Sequence, residues 1–533
     1  MAPRTRNAPG KKPLEHQTVS GRRSTDQKGD NPIAETPRLR IRMYRHGLGD
    51  CLLLRFAQSS DRTFNIVIDC GLIGVARNPK ETMARVVQDI STACDKHIDV
   101  VVMTHEHWDH ASGFSAQQAR EIFSQITIGE VWYSWTEDPL NALGIKLRQE
   151  RADKVAALAQ AVRSLSELTG EEIAAERSRD LTAMLGFFGV ESPEDLDEML
   201  DAPDGGFGLA GRPKAIGKTR DAFEYLKNSK TVKTRFCYPE QPPFSLSGVK
   251  GVRVYVLGPP QDEALIKKSA PTKTGREVYE MASECNYACN LATAFSRLGA
   301  DSAIQMSNSD DCPFDVIHRR IPGCNDHDSP ELGELIHDTW ADSEQEWRKI
   351  EYDWTQAAET LALNLDTHTN NSCLVLAFEF IDTGDVFLFP ADAQIGNWMS
   401  WQNLQWEIRT SSGPSIVTGP DLLRRTVFYK VSHHGSHNAT LRALGLEQMT
   451  SDDLVAFIPV VREDAQKNRW MGMPFEPLVK RLKEKTGGRL LRSDDAEPPN
   501  AEDLAKLPSR AQDTFLKAIE IGPDKLYFEY RYQ

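Results

Sequence analysis

Short apolar and β-branched runs recur at wide spacing along the chain, the pattern expected of strands. An early group comprises RLRIRMYRHG at 38–47, CLLLRF at 51–56, FNIVIDCG at 64–71, IDVVVMTH at 98–105 and IGEVWYSW at 128–135. A late group comprises GVRVYVLGPP at 251–260, SCLVLAFEFI at 372–381, DVFLFPAD at 385–392, TVFYKVSHH at 426–434, DLVAFIPV at 453–460 and KLYFEYRY at 525–532. Several are apolar throughout, which suits strands buried on both faces. Helical patterns fall between them at 78–96, 344–365 and 478–488, the last closed by glycine. Val155, Leu158, Val162 and Leu165 recur at steps of three and four, one face of a helix. The alternation predicts an α/β class.

Two stretches interrupt it. Residues 136–248 read as mostly helical and polar, with a loop DAPDGGFGLAGRP at 201–213. The glycines of that loop do not follow a strand, so it reads as a flexible loop and not a phosphate cradle. Residues 261–366 also lack strand-like runs. Both are expected to be insertions into one αβ core spanning 38–533. No internal repeat is visible.

Composition narrows the class. The chain has 533 residues, enough for two or three domains or one domain with large insertions. Hydrophobic content of 40% and charged content of 26% fit a soluble globular protein. No apolar run approaches bilayer-spanning length, so no membrane association is expected. Residues 1–37 are basic, polar and poor in aromatics, which predicts a disordered tail, with a weak contact for a polyanion or a partner as the alternative. No apolar segment follows those basic residues, so a secretory signal is not expected and the chain reads as cytoplasmic. The 9 cysteines are scattered and read as reduced. A net charge of −14 argues against a protein that coats nucleic acid, though not against an enzyme acting on it.

The candidate chemistry sits in VVMTHEHWDHASGF at 101–114, where His105, His107, Asp109 and His110 follow a buried apolar run. Ligands in αβ folds gather outside the carboxyl ends of strands. His105 and His107 alternate and can project together, and Asp109 and His110 open a predicted helix toward a neighbouring site. Imidazole and carboxylate suit zinc and related divalent metals.

These residues match the H-x-H-x-D-H motif, and the sequence strongly resembles the metallo-β-lactamase-fold hydrolase superfamily. Other pieces follow in the superfamily's order: Asp69 in IVIDCG, Asp392 in LFPADA, and His433 and His434 in YKVSHHGSHNAT. Within it, HGLGDC at 46–51, NNSCLVL at 370–376 and KVSHHGS at 430–436 are similar to the hydrolase domain of competence-type DNA-uptake proteins and related phosphoesterases. The likeness covers roughly 38–135, 250–260 and 368–532 and omits the two insertions.

The resemblance implies an αββα sandwich with a site for two divalent metal ions, zinc first, with manganese or iron as alternatives. His105 and His107 would hold one metal, Asp109 and His110 the other, and Asp392 would bridge them. His434 is assigned as a further ligand of the second metal and His433 to a substrate phosphate or proton transfer, although the pair can be assigned the other way. His368, in HTNNS at 368–372, would be a ligand of the first metal or a loop residue. Asp69 would orient the metal loop. Asp50 and His46 lie in a hairpin that could face the site, Asp50 as a turn residue or a catalytic one. Met473 stands where related sequences often carry a histidine before proline, which shifts weight to His433 or implies a different substrate.

Weaker candidates remain. Cys285, Cys289, Cys312 and Cys324, with His318 and His327, have spacings that fit no compact zinc module. Lys430, Arg424 and Arg425 could attract an anionic substrate. Trp398 and Trp401 are core residues or an aromatic wall at the site mouth. The expected activity is a metal-dependent hydrolase of phosphodiesterase or nuclease type, cleaving a phosphoester, in nucleic acid or a nucleotide, with metal-activated hydroxide. Asp109 and His433 are its catalytic residues. The alternatives are a hydrolase of a small ester, lactone or thioester, and a non-catalytic metal-binding protein whose helical insertions engage a protein partner.

Overall fold

The computed structural model describes residues 37–533 except 60–61, 75–77, 116, 168–171, 191, 202–216, 230, 270–352, 411–412, 469 and 471. The basic tail, the glycine-rich loop from 202 and the Cys285–His327 group lie outside the described residues.

The chain is a mixed α/β protein built on two large sheets. One contains β1 (Leu39–Tyr44), β2 (Cys51–Ala57), β3 (Thr63–Cys70), β4 (His97–Met103), β5 (Thr127–Ser134) and β6 (Lys233–Cys237). The other contains β7 (Phe244–Ser245), β8 (Val252–Gly258), β9 (Val375–Phe380) and β10 (Val386–Phe389). After a separate hairpin of β11 (Gln405–Thr410) and β12 (Gly413–Thr418), it continues with β13 (Thr426–Lys430), β14 (Val455–Ile458) and β15 (Leu490–Arg492). β16 (Ile519–Ile521) and β17 (Tyr527–Tyr532) return to the first sheet. The orders are β16-β17-β1-β2-β3-β4-β5-β6 and β15-β14-β13-β10-β9-β8-β7. β3 to β6 run parallel, as do β10, β13, β14 and β15, while the remaining pairs are antiparallel.

The two sheets face each other. Leu52, Leu54 and Phe56 of β2 share one cluster with Leu376, Phe378 and Phe380 of β9 and Phe387 and Phe389 of β10. The Phe56 and Phe378 rings lie 5.3 Å apart across it. The alternate residues point outward. Leu53, Val67 and Val101 meet Met83, Val86, Val87 and Ile90 of the Pro79–Ala93 helix. Val375, Ala377, Leu388 and Tyr429 meet the Ala142–Glu167 and Asp353–Asn371 helices through residues such as Leu158, Val162, Leu361 and Leu365. Helices thus cover the outer face of each sheet, which explains why the strands read as apolar throughout.

Two boundaries differ from expectation. β6 and β7 lie inside the stretch assigned to the first insertion, yet they extend the first and second sheets respectively. β6 is polar and half exposed, KTRFC, because it is an edge strand, so its sequence carries little strand signal. Trp398 and Trp401 are fully buried with ring centroids 4.0 Å apart, so they are core and not a wall of the site. Among the described residues, no helix is long and apolar enough to cross a membrane, and the cysteines are buried and unpaired.

Candidate metal centre

The carboxyl ends of β3, β4, β10 and β13 deliver Asp69, His105–His110, Asp392 and His433–His434 to one place. Asp50 arrives at the same edge from the start of β2, which runs antiparallel to β3. One ligand-type atom from each of Asp50, His110, Asp392 and His434 lies within 4.8 Å of the others, and all four residues are buried. Asp69, Ala391, His433 and His434 have φ of 54°, 50°, 41° and 51°. Left-handed backbone at non-glycine residues costs of order 1–3 kcal/mol each and collects at functional sites.

The early histidines are fixed from behind. Asp69 accepts hydrogen bonds from the Thr104 amide at 2.9 Å and the Thr104 hydroxyl at 2.6 Å, and lies 2.8 Å from Nδ1 of His110. That leaves Nε2 of His110 facing Asp392 Oδ2 at 3.1 Å. Nδ1 of His105 lies 3.0 Å from the Thr104 hydroxyl, and its Nε2 lies 3.0 Å from Nδ1 of His107. The His105 and His110 rings are 4.2 Å apart. Asp69 therefore ties Thr104 and His110 together behind the cluster.

Of the histidine pair, His434 faces the carboxylates. Its Nδ1 lies 2.7 Å from the Pro459 carbonyl, and its Nε2 lies 2.9 Å from Asp109 Oδ2 and 3.3 Å from Asp392 Oδ2. His433 turns aside, with Nδ1 2.8 Å from Ser436 Oγ and 3.1 Å from Gln394 Nε2, and Nε2 3.5 Å from Asn370 Nδ2.

Asp50 is a member of the cluster and not merely a turn residue. Its carboxylate pairs with Lys430, which also donates to Asp392 Oδ1 at 3.2 Å and to the Ala391 carbonyl at 2.9 Å. Lys430 is 1% exposed, so it is an internal counter-charge and does not attract substrate. Arg424 pairs with Asp421 at the surface, and Arg425 with Glu379, both away from the centre. His46 is held by backbone, with Nε2 2.7 Å from the Gly71 carbonyl.

His368 is not brought to the centre. The sequence suggested a turn at 368–372, but the Asp353–Asn371 helix continues through it. Helical phase aims Asp366 and Asn370, four apart, at Gln394 and His433. His368 lies on a neighbouring face, with Nδ1 3.3 Å from Lys154 Nζ. Sequence reasoning missed Asp366, Asn370 and Gln394. Their only signal was this helical phase. Met473 is buried against the apolar cluster behind the second sheet.

The electrostatics are those of imidazoles and carboxylates buried together. Burial alone would push His110 and His434 down, but the Asp392 and Asp109 carboxylates reverse this, holding His110 well above its ordinary value and His434 at about 10. Burial alone would raise the Asp392 and Asp109 carboxyls, yet the facing imidazoles hold both below the usual range. Further from the carboxylates, burial dominates: it pushes His105 well down, His107 to about 3 and His433 to about 4. Nε2 of His107 and Oδ1 of Asp109 are buried without a hydrogen bond, while Nε2 of His110 meets Oδ2 of Asp392 as an ion pair. Such orphaned atoms are rare, and here both are metal-ligand types. This buried Asp/His group could hold a metal ion, and its donors suit zinc, manganese or iron.

The first insertion grips the same loop. Glu106, between His105 and His107, accepts from Arg151 at 2.7 Å and Arg220 at 3.1 Å, and both arginines also reach Glu137, at 3.2 and 2.7 Å. The Trp108 amide donates to the Phe187 carbonyl at 2.7 Å. The His107 ring lies 5.2 Å from Phe187 and 5.1 Å from Phe188, and Phe187 stacks on Trp470 at 4.5 Å.

No family model matches the chain, and no curated protein matches it.

Proposed function

We propose that the chain is a metal-dependent hydrolase of the metallo-β-lactamase type that cleaves a phosphoester. The observation that carries the reading is the convergence of Asp50, His110, Asp392 and His434 within 4.8 Å at one edge of two facing sheets, beside a motif that resembles that superfamily. A bound divalent metal supplies an activated water at neutral pH and polarises the substrate oxygen.

The chain's own residues would do the rest. Asp392, His110 and His434 would hold the metal, joined by Asp50 or Asp109, and His105 and His107 offer a neighbouring position. Asp69 and the Pro459 carbonyl take the Nδ1 side of His110 and His434, which fixes each ring with Nε2 inward. His433, kept neutral by burial and 6% exposed, would bind substrate or accept a proton in this reading. Phosphoester over acyl substrate rests on the likeness of HHGS and GLGDC to the phosphoesterase branch, and fold alone does not decide it.

Metal content of the purified chain, measured beside hydrolysis of bis(p-nitrophenyl) phosphate and of an acyl ester, tests the reading. Phosphodiester turnover that disappears in His110→Ala and Asp392→Asn is expected. Turnover of the acyl substrate alone would move the reading to the ester class. Bound metal with no turnover of either would leave a metal-binding protein.

A further inference from the structure

The Asp353–Asn371 helix carries one buried acid that stands outside the metal-ligand set. Asp366 is 8% exposed and lies four residues before Asn370, on the same helical face. Burial pushes its carboxyl up to about 7, while hydrogen bonds from the Gln394 and Asn370 amides pull the other way. A buried acid is costly to keep, and this one forms no ion pair among the described residues.

Each of its two oxygens is met by one amide, and each amide goes on to His433. Gln394 Nε2 donates to Asp366 Oδ2 at 3.4 Å and lies 3.1 Å from Nδ1 of His433. Asn370 Nδ2 donates to Asp366 Oδ1 at 3.2 Å and lies 3.5 Å from Nε2 of the same ring. A side-chain amide has two N–H groups, so one serves the carboxylate while the other faces the imidazole. The carbonyl end of Gln394 is tied as well. It accepts from Asn438 at 2.9 Å, and Asn438 accepts from the Ser436 hydroxyl at 2.8 Å, which itself lies 2.8 Å from Nδ1 of His433. The His433 backbone is left-handed, with φ 41°. No regular element sets the direction of its ring, which depends on these side chains.

We propose that Asp366 is a positioning residue for His433, holding the imidazole beside the metal centre through the Gln394 and Asn370 amides. An ionised carboxylate only accepts hydrogen bonds, so it obliges both amides to turn N–H groups toward it. Without it either amide is free to reverse, and the ring loses its fixed direction. The proposal rests on the hydrolase reading, in which His433 binds substrate or accepts a proton. It adds to that site a residue from the stretch 261–366, which the likeness to the superfamily omits.

Steady-state hydrolysis of bis(p-nitrophenyl) phosphate and of an acyl ester by the full, zinc-loaded chain tests it. Asp366→Asn, Asp366→Ala, His433→Ala and the double variant Asp366→Ala/His433→Ala are compared with wild type. Each Asp366 variant is expected to lower kcat/KM about 10-fold or more, the scale of partners that stand behind a site residue, with zinc content and denaturant melt as in wild type. A fall in kcat marks proton transfer by His433 and a rise in KM marks substrate binding, and both support the proposal. The double variant is expected to be no slower than His433→Ala, because Asp366 acts through that ring. Losses that multiply in the double variant, full activity in His433→Ala, or zinc lost from Asp366→Asn overturn the proposal. Asp366→Asn keeps the shape, so a loss confined to Asp366→Ala marks packing and overturns it equally. An active wild type with an equally active Asp366→Asn overturns the proposal alone, whereas a wild type that turns over neither substrate overturns the hydrolase reading and the proposal with it.

Discussion

Nε2 of His434 lies 2.9 Å from Oδ2 of Asp109, although 325 positions separate them in the chain. The contact joins the loop after β4 in one sheet to the loop after β13 in the other. Asp109 belongs to the HEHWDH motif and His434 to the HHGS turn, so the two halves of the chain meet at the candidate centre.

Metal binding is expected to depend on both halves. Asp392→Asn and His434→Ala should each lose bound zinc, measured by elemental analysis after desalting. Asp69→Asn keeps the shape but loses the carboxylate behind His110, and is expected to bind metal ~10–100-fold more weakly. Undiminished zinc in Asp392→Asn would remove that residue from the site.

The centre also predicts opposite pH responses with and without metal. In the metal-free chain His434 titrates at about 10, above the ~6.5 of an unfolded histidine. Its stabilising contribution is fully present below ~6.5 and is lost as pH rises through about 10. Metal must displace that proton, so metal affinity is expected to rise with pH over the same window and binding to release protons. Thermal melts of chelator-treated and zinc-loaded protein at pH 6, 8 and 9.5 check both signs. A metal-free chain that grows more stable from pH 6 to 9.5 would contradict the paired imidazolium.

Gly71→Ala is expected to abolish metal binding. A Cβ at Gly71 would collide with the carbonyl carbon of Asp109 and the amide nitrogen of His110. The backbone of the metal loop must therefore shift, at a cost of about 1–3 kcal/mol for overpacking. Metal content and a denaturant melt read the two effects, and retention of metal at full affinity would show that the loop can yield.

The Glu106–Arg151–Glu137–Arg220 group should couple the first insertion to the centre. Glu137 is 4% exposed and bonded to both arginines, so Glu137→Ala leaves buried positive charge and is expected to cost roughly 3 kcal/mol in denaturant unfolding. Glu106→Gln is expected to weaken zinc binding without removing a ligand. Equal zinc affinity in Glu106→Gln and wild type would show that the clamp does not reach the metal loop.

The strand runs were legible because burial on both faces leaves no polar positions to obscure them, as in SCLVLAFEFI and DVFLFPAD. β6, β7, β15 and β16 were not, being short or half exposed. In the centre, contiguous chemistry was readable: HEHWDH and HHGS announce themselves by spacing. Asp50 was ambiguous because a glycine-flanked aspartate suits any turn, and only the arrival of Lys430, Asp392 and His434 from the far half of the chain gives it another role. His368 went astray because one more turn of helix rotates a side chain by about 100° per residue, and nothing local in HTNNS marks where the helix stops.

The clasp around Glu106 also bears on how the chain can be trimmed. The helices that carry Arg151 and Arg220, and the turn that carries Phe187 and Phe188, lie in the stretch that reads from the sequence as an insertion. Here they roof the imidazole of His107 and neutralise the carboxylate beside it. Excising them would leave a stripped anion and a wet ring within the loop itself. A minimal version of this protein must keep that part of the insertion, because it holds the loop that the strands only begin.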